Sequence, residues 1–270
     1  MALWVDEHVD MAAPVAAMLR SERAVRAQLR VARPLLDREA SDEARAVLRR
    51  LSAPLLRAHD SSSSPPRCAD AVLLADDDRE VLEPLVHEAT VDADAAEQLL
   101  SARLASPAHT ELLVGLVSFA TRPPDGTDAL GAPLPSASEL AAAAWTKLCH
   151  AVTSLGVDGR DQGRELEDLR PKVRRAWAAA LVAAPGSDES AGRADRLESL
   201  LAHLDQLRDA LLVEDRLRGL ALGAPRPQVL ALGQLLGEAR RRTAHLTASW
   251  PVWWGEATGV DAERAAAAAS

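Results

Sequence analysis

Val15-Ala-Ala-Met-Leu-Arg-Ser-Glu-Arg-Ala-Val-Arg-Ala-Gln-Leu-Arg30, followed by Arg33-Pro-Leu-Leu-Asp37 and closing at His59-Asp60, is the stretch that decides the fold. A degraded second copy runs through Leu166-Glu-Asp-Leu-Arg-Pro-Lys-Val-Arg-Arg-Ala-Trp177 and closes at Leu207-Arg-Asp-Ala210. In each copy an arginine-bearing helix precedes a leucine-rich one that ends in a basic or polar residue before Asp. The copies stand far apart in the chain, so they read as a duplicated half-domain and not as a stacked array of short repeats. Two such helices facing each other can build one shared basic groove.

Working outward, composition points the same way. The chain has 270 residues, 48% of them hydrophobic, but Ala, Leu and Val carry that content; there is one Phe, Phe119, and no Tyr. Such a mixture favours helix over strand, and the whole chain reads as all-α. Breaks fall where Pro, Gly and Ser cluster: Ser61 to Pro66, Arg122 to Pro135, Gly156 to Gly163, Pro185 to Ser190 and Gly223 to Pro227. The longest of them, ending at Pro135, divides the chain into two expected bundles, residues 10–121 and 136–255, with a disordered tail over 256–270. About four helices are expected on each side of that break, in antiparallel bundles related by an internal pseudo-two-fold axis. Pro34 interrupts the first long helical pattern, which must kink or restart there. Ser136 with Glu139 reads as a capping box, and Asp94 with Glu97 has the same spacing.

The formal net charge is −9. An acidic chain does not draw polyanions from a distance, so any phosphate site here must be a local basic patch. Cys68 and Cys149 are too few for a disulfide framework and read as small apolar residues. Met1-Ala-Leu-Trp-Val meets Asp6 and Glu7 at once, unlike a secretory leader, and no apolar run has membrane-spanning length. The expectation is a cytoplasmic protein with no membrane partner.

The residues quoted above resemble a CHAD domain, the conserved-histidine α-helical domain. Met18, Arg23, Arg26, Leu29, Arg30 and Arg33-Pro-Leu-Leu36 fall in register with that family's first helix. Leu166, Arg170, Arg174 and Arg175 match the opening helix of its second half, and Ala58-His-Asp60 and Gln206 to Leu212 resemble its Leu-Gly-x-x-Arg-Asp-type endings. The resemblance spans Val15 to Trp254. It implies two helical halves, no catalysis, no cofactor or bound metal, and inorganic polyphosphate or a similar linear polyanion as ligand. The chain departs from the pattern at Ala16 and Glu167, which stand where the family has its histidines, and at Leu19, Pro171 and Trp177-Ala178.

Helical spacing turns these matches into a candidate surface. One face carries Ala16, Leu19, Arg23, Arg26 and Arg30; its counterpart carries Glu167, Arg170, Arg174, Trp177 and Leu181. Arg20, Lys172 and Arg175 flank them, with Arg49 and Arg50 as further candidates. Guanidinium groups one turn apart suit a linear polyanion, because Arg offers paired hydrogen bonds to phosphate oxygens. The candidate site is therefore Arg20, Arg23, Arg26, Arg30, Arg170, Lys172, Arg174 and Arg175. The competing reading pairs these arginines with Glu22, Glu165, Asp168, Asp60 and Asp209, leaving a scaffold or protein-interaction module that has lost its ligand. Glu167 would repel phosphate or neutralise Arg170 or Arg174.

Other signals are weaker. Asp76-Asp-Asp-Arg-Glu80 has the carboxylate spacing of Mg²⁺-dependent diphosphate enzymes, but no second metal motif or aromatic cavity accompanies it, and an acidic helix start explains it. The seven histidines show no zinc-site spacing. Arg240-Arg-Arg242 fans around its helix as a solvated face, and Trp250-Pro-Val-Trp-Trp254 reads as a helix end packed on the bundle. No feature points to a specific nucleic acid. Asp60 and Asp209 read as structural, holding a basic residue or capping a helix.

Overall fold

The computed structural model describes residues 12–62, 76–121, 134–155 and 162–259, and among them every regular element is helical. The helices are α1 (Ala12–Ala32), α2 (Arg38–Ser62), α3 (Asp76–Leu104), α4 (Pro107–Thr121), α5 (Ala137–Thr153), α6 (Gln162–Ala183), α7 (Asp188–Gly223), α8 (Arg226–Ala248) and α9 (Trp250–Thr258).

Proline chemistry sets the first corner. α1 stops at Ala32, Pro34 sits in a short 3₁₀ turn over Arg33–Leu35, and α2 begins afresh at Arg38. Asp37 Oδ1 accepts from the Ala40 amide at 2.9 Å, so a side chain satisfies one of the donors exposed at the new helix start. The same device recurs: α6 ends at Ala183, Pro185 lies in a 3₁₀ turn over Ala184–Gly186, and Ser187 caps α7 by accepting from the Ser190 amide. Each pair packs side by side across its short turn, which makes the partners antiparallel.

The Ser136–Glu139 capping box is present, with the Glu139 amide donating to Ser136 Oγ at 3.1 Å and the Ser136 amide donating to Glu139 Oε2 at 2.7 Å. Asp94 and Glu97 do not start a helix. They lie inside α3, where helix continues without a break on both sides and leaves no exposed helix start for them to cap.

Burial follows the helical stripes. Leu166, Leu169 and Val173 of α6 meet Leu148 of α5 and Leu197, Leu200, Leu204 and Leu207 of α7 in the largest core, which also takes in Val31 of α1. Val15 and Leu19 of α1 close on Leu55 and Ala58 of α2 and Leu100 of α3. Leu82 of α3 packs with Leu217 of α7 and Leu232 of α8. Packing therefore crosses between the segments before and after residue 135, through α1 on α6 and α3 on α8.

Trp250 opens a separate short helix, α9. Trp254 stacks between Trp145 and Trp250, at centroid distances of 6.0 and 5.8 Å, and Arg193 lies 5.0 Å from the Trp145 ring centre. This anchor carries regular structure further than expected. α9 runs through Thr258 with Ala257 buried, so the tail expected from residue 256 does not begin there. Residues 260–270, like Cys68, lie outside the described residues. Cys149 is a free, half-buried thiol, pushed up by burial. No helix among the described residues is long and apolar enough to cross a membrane.

Candidate functional site

α1 and α6 pack against each other, and their apolar stripes decide which arginines meet. Val15, Leu19 and Val31 turn one side of α1 into cores, while Leu166, Leu169 and Val173 do the same for α6. Arginines at neighbouring positions are left at the seam. There Arg23, Arg26, Ala27 and Arg30 of α1 and Pro171, Arg174 and Arg175 of α6 line a cleft of about 110 Å³. Five guanidinium groups line it, and no carboxylate does among the described residues.

A second cavity of about 250 Å³ continues from it and shares Arg23 and Arg174. Arg20 and Ala24 of α1 and Trp177 of α6 form one side, and Glu198, Leu201, Ala202 and Asp205 of α7 form the other. The structure thus brings together Arg23, Arg26, Arg30, Arg174 and Arg175 in the narrow cleft and places Arg20 beside it in the wider one. Lys172 is exposed on α6 and lines neither. Arg170 lies deep beneath the seam, its side chain 11% exposed.

Electrostatics divides the patch in two. Asp205 Oδ1 accepts from Arg170 Nη1 at 2.9 Å and from Arg174 Nη2 at 3.3 Å. Glu167 stands 3.6 Å from Arg170 and 3.9 Å from Arg208. Glu167 therefore faces two arginines of the protein itself, as one of the two outcomes expected for it. The expected acids Glu165, Asp168, Asp60 and Asp209 do not form these pairs; Asp205, one turn before Asp209, projects to the seam instead. Among the described residues, Glu22 is the expected acid that pairs with a candidate arginine, at 3.3 Å from Arg26.

Arg23, Arg30 and Arg175 have no ion-pair partner within 4 Å among the described residues. Arg30 is held below the usual arginine value by partial desolvation and then by Arg45, Arg26, Arg175 and Arg49, all cations. Arg23 is lowered by burial and by Arg208 and Arg170, against the pull of Asp205 and Glu22. Burial pushes Arg174 down to about 10, which still leaves it charged at neutral pH. A cluster of like charges this crowded is relieved by an anion.

Sequence reasoning missed Arg45, Arg208 and Asp205. Arg208 lies in the quoted ending Leu207-Arg-Asp-Ala210, so that motif was the available signal. Arg45 lies on α2 and Asp205 on α7, and only the packing of those helices on α1 and α6 brings them in.

The remaining features are structural or lie elsewhere. Asp60 and Asp209 cap no helix; they line a separate cavity of about 250 Å³ with His59, Arg216 and Arg242. There the Asp60 carbonyl accepts from Arg216 at 3.0 Å. Arg240 and Arg241 are exposed and paired with Glu214 and Glu238. Asp76 begins α3, and Asp78 accepts from Gln234 at 3.0 Å. Among the described residues no three His, Cys, Asp or Glu side chains are grouped to hold a metal ion.

The fold and cleft define a class: an all-helical protein in which two helix–3₁₀–helix units share an arginine-lined seam. The CHAD domain model matches residues 3–218, and the chain belongs to that family. Its fold is similar to that of PptA from Streptomyces chartreusis, with a TM-score of 0.67 at 20% identity, covering 90% of this chain and 89% of that one. No curated protein matches the chain. The family match ends within α7, whereas the structural likeness covers most of the chain.

Proposed function

We propose that this protein binds inorganic polyphosphate, or a similar linear polyanion, in the cleft between α1 and α6 and does not chemically transform it. One observation carries the reading: five arginines from two helices line a single cleft free of carboxylate lining, and Arg23, Arg30 and Arg175 have no internal counter-ion within 4 Å among the described residues. Membership of the CHAD family, which is associated with polyphosphate, agrees with it. Arg26 and Arg174 extend the row, Arg20 lines the adjoining cavity, and Lys172 is exposed on α6 outside both. Binding rests on release of counter-ions from the polymer together with charge-assisted hydrogen bonds from the guanidinium groups.

A second reading has its own support. Asp205 and Glu167 already hold Arg170, Arg174 and Arg208, as in a scaffold that kept the fold and lost the ligand. Titration of the purified chain with long-chain polyphosphate at low salt separates the two. Saturable binding without release of orthophosphate is expected. Absence of binding by a chain that retains its helical circular dichroism selects the scaffold, and released orthophosphate contradicts the non-enzymatic part.

A further inference from the structure

The two adjoining cavities at the seam differ in chemistry. The narrow one, among the described residues, offers guanidinium groups as its charged lining, with Ala27 and Pro171 between them. The wider one adds Trp177 and Leu201 as an apolar wall and two carboxylates, Glu198 and Asp205. Bare phosphate gains nothing from that wall and is repelled by those carboxylates, because its oxygens are anionic acceptors. A planar group with N–H or O–H donors gains from both: the indole offers a stacking face, and the carboxylates accept its protons.

Three further observations bear on this cavity. Glu198 is exposed and makes no ion pair within 4 Å among the described residues, so it is open to a ligand donor. The Trp177 indole N–H is buried and has no acceptor among the described residues. Arg23 and Arg174 border both cavities, so one ligand can extend from one into the other across shared cations. At about 250 Å³ the wider cavity lies just below the usual range of small-molecule sites, about 300 Å³ and above. That is room for a nucleobase, with the phosphates left to the neighbouring cleft.

We infer that the seam also takes nucleoside polyphosphates, with the base against Trp177 beside Glu198 and the phosphate chain on Arg23, Arg174 and the cleft beyond. The inference rests on the reading of the arginine cleft as a phosphate site and adds a ligand class that bare polyphosphate does not represent.

The test is calorimetric titration of the full chain with inorganic triphosphate, ATP and GTP at one ionic strength and without Mg²⁺, beside long-chain polyphosphate. At least one nucleotide is expected to bind about tenfold more tightly than inorganic triphosphate, the gain that one base stacked on an aromatic ring supplies. Trp177→Leu should erase that advantage and leave inorganic triphosphate within about twofold. Glu198→Gln, at an exposed position that does not threaten folding, should reduce it for the preferred base. Nucleotides no tighter than inorganic triphosphate, or an advantage untouched by both substitutions, overturn the inference. If long-chain polyphosphate still binds in that case, the cleft reading stands alone; if no phosphate compound binds the folded chain, both fail.

Discussion

Asp205 is the residue on which the site turns. Its carboxylate reaches the seam from α7 and accepts hydrogen bonds from Arg170 and Arg174. Asp205→Asn therefore has two opposed effects. It frees Arg174, which lines both cavities, for an external anion, so polyphosphate should bind more tightly. It also removes a charged hydrogen-bonding partner from largely buried arginines, at a cost of about 1–3 kcal/mol in stability. Calorimetry with polyphosphate, paired with urea unfolding, reads both; unchanged affinity would show that Asp205 does not compete with ligand. Glu22 poses a different problem. It is buried at 8% exposure, and burial raises its carboxyl above the ordinary 4.5 despite the pull of Arg26 and Arg23. The folded state then keeps a proton that the unfolded state has lost, so stability falls as pH rises from 4.5 through the raised value. Above that value the penalty is complete. Glu22→Gln should raise Tm at neutral pH, with the gain fading as the pH drops below 4.5; a gain independent of pH would contradict this sign.

At the scale of elements, α6 carries both the core and the site. Leu169 is 1% exposed, between α5 and α7, while Lys172 less than one turn away is exposed. Leu169→Ala should cost about 2–5 kcal/mol and Lys172→Ala no more than about 0.5 kcal/mol, measured by chemical unfolding; similar costs would mean the face of α6 is misassigned. Helix type and corners were legible because their causes are local. Pro34 cannot continue α1 without losing a hydrogen bond, so the chain restarts, and Ser136 with Glu139 satisfies its own helix end. Asp94 with Glu97 carried the same spacing and misled, since a capping box forms only where the chain enters a helix from outside. The cleft arginines on α1 and α6 were legible from periodicity. Arg45 and Asp205 were not, because they reach the seam only when α2 and α7 fold back on α1 and α6. The length of α9 was hidden for a similar reason: stacking of Trp254 on Trp145, more than a hundred residues earlier, fixes it.

The whole molecule sets a local attraction inside a repulsive envelope. With a net charge of −9 the chain repels a polyanion at long range, while unpaired arginines attract it at contact. Added salt screens both, but only the contact term releases counter-ions. The most direct test is the salt dependence of long-chain polyphosphate affinity, in the natural chain and in one carrying both Arg23→Glu and Arg175→Glu. Engagement of Arg23, Arg30 and Arg175 predicts a slope of log K against log salt of about −2 or steeper, at about 0.7 per contact for a single-stranded polymer. The doubly reversed chain should stay folded and lose binding. A flat salt response, or equal affinity in the folded double variant, would contradict a polyanion site between α1 and α6.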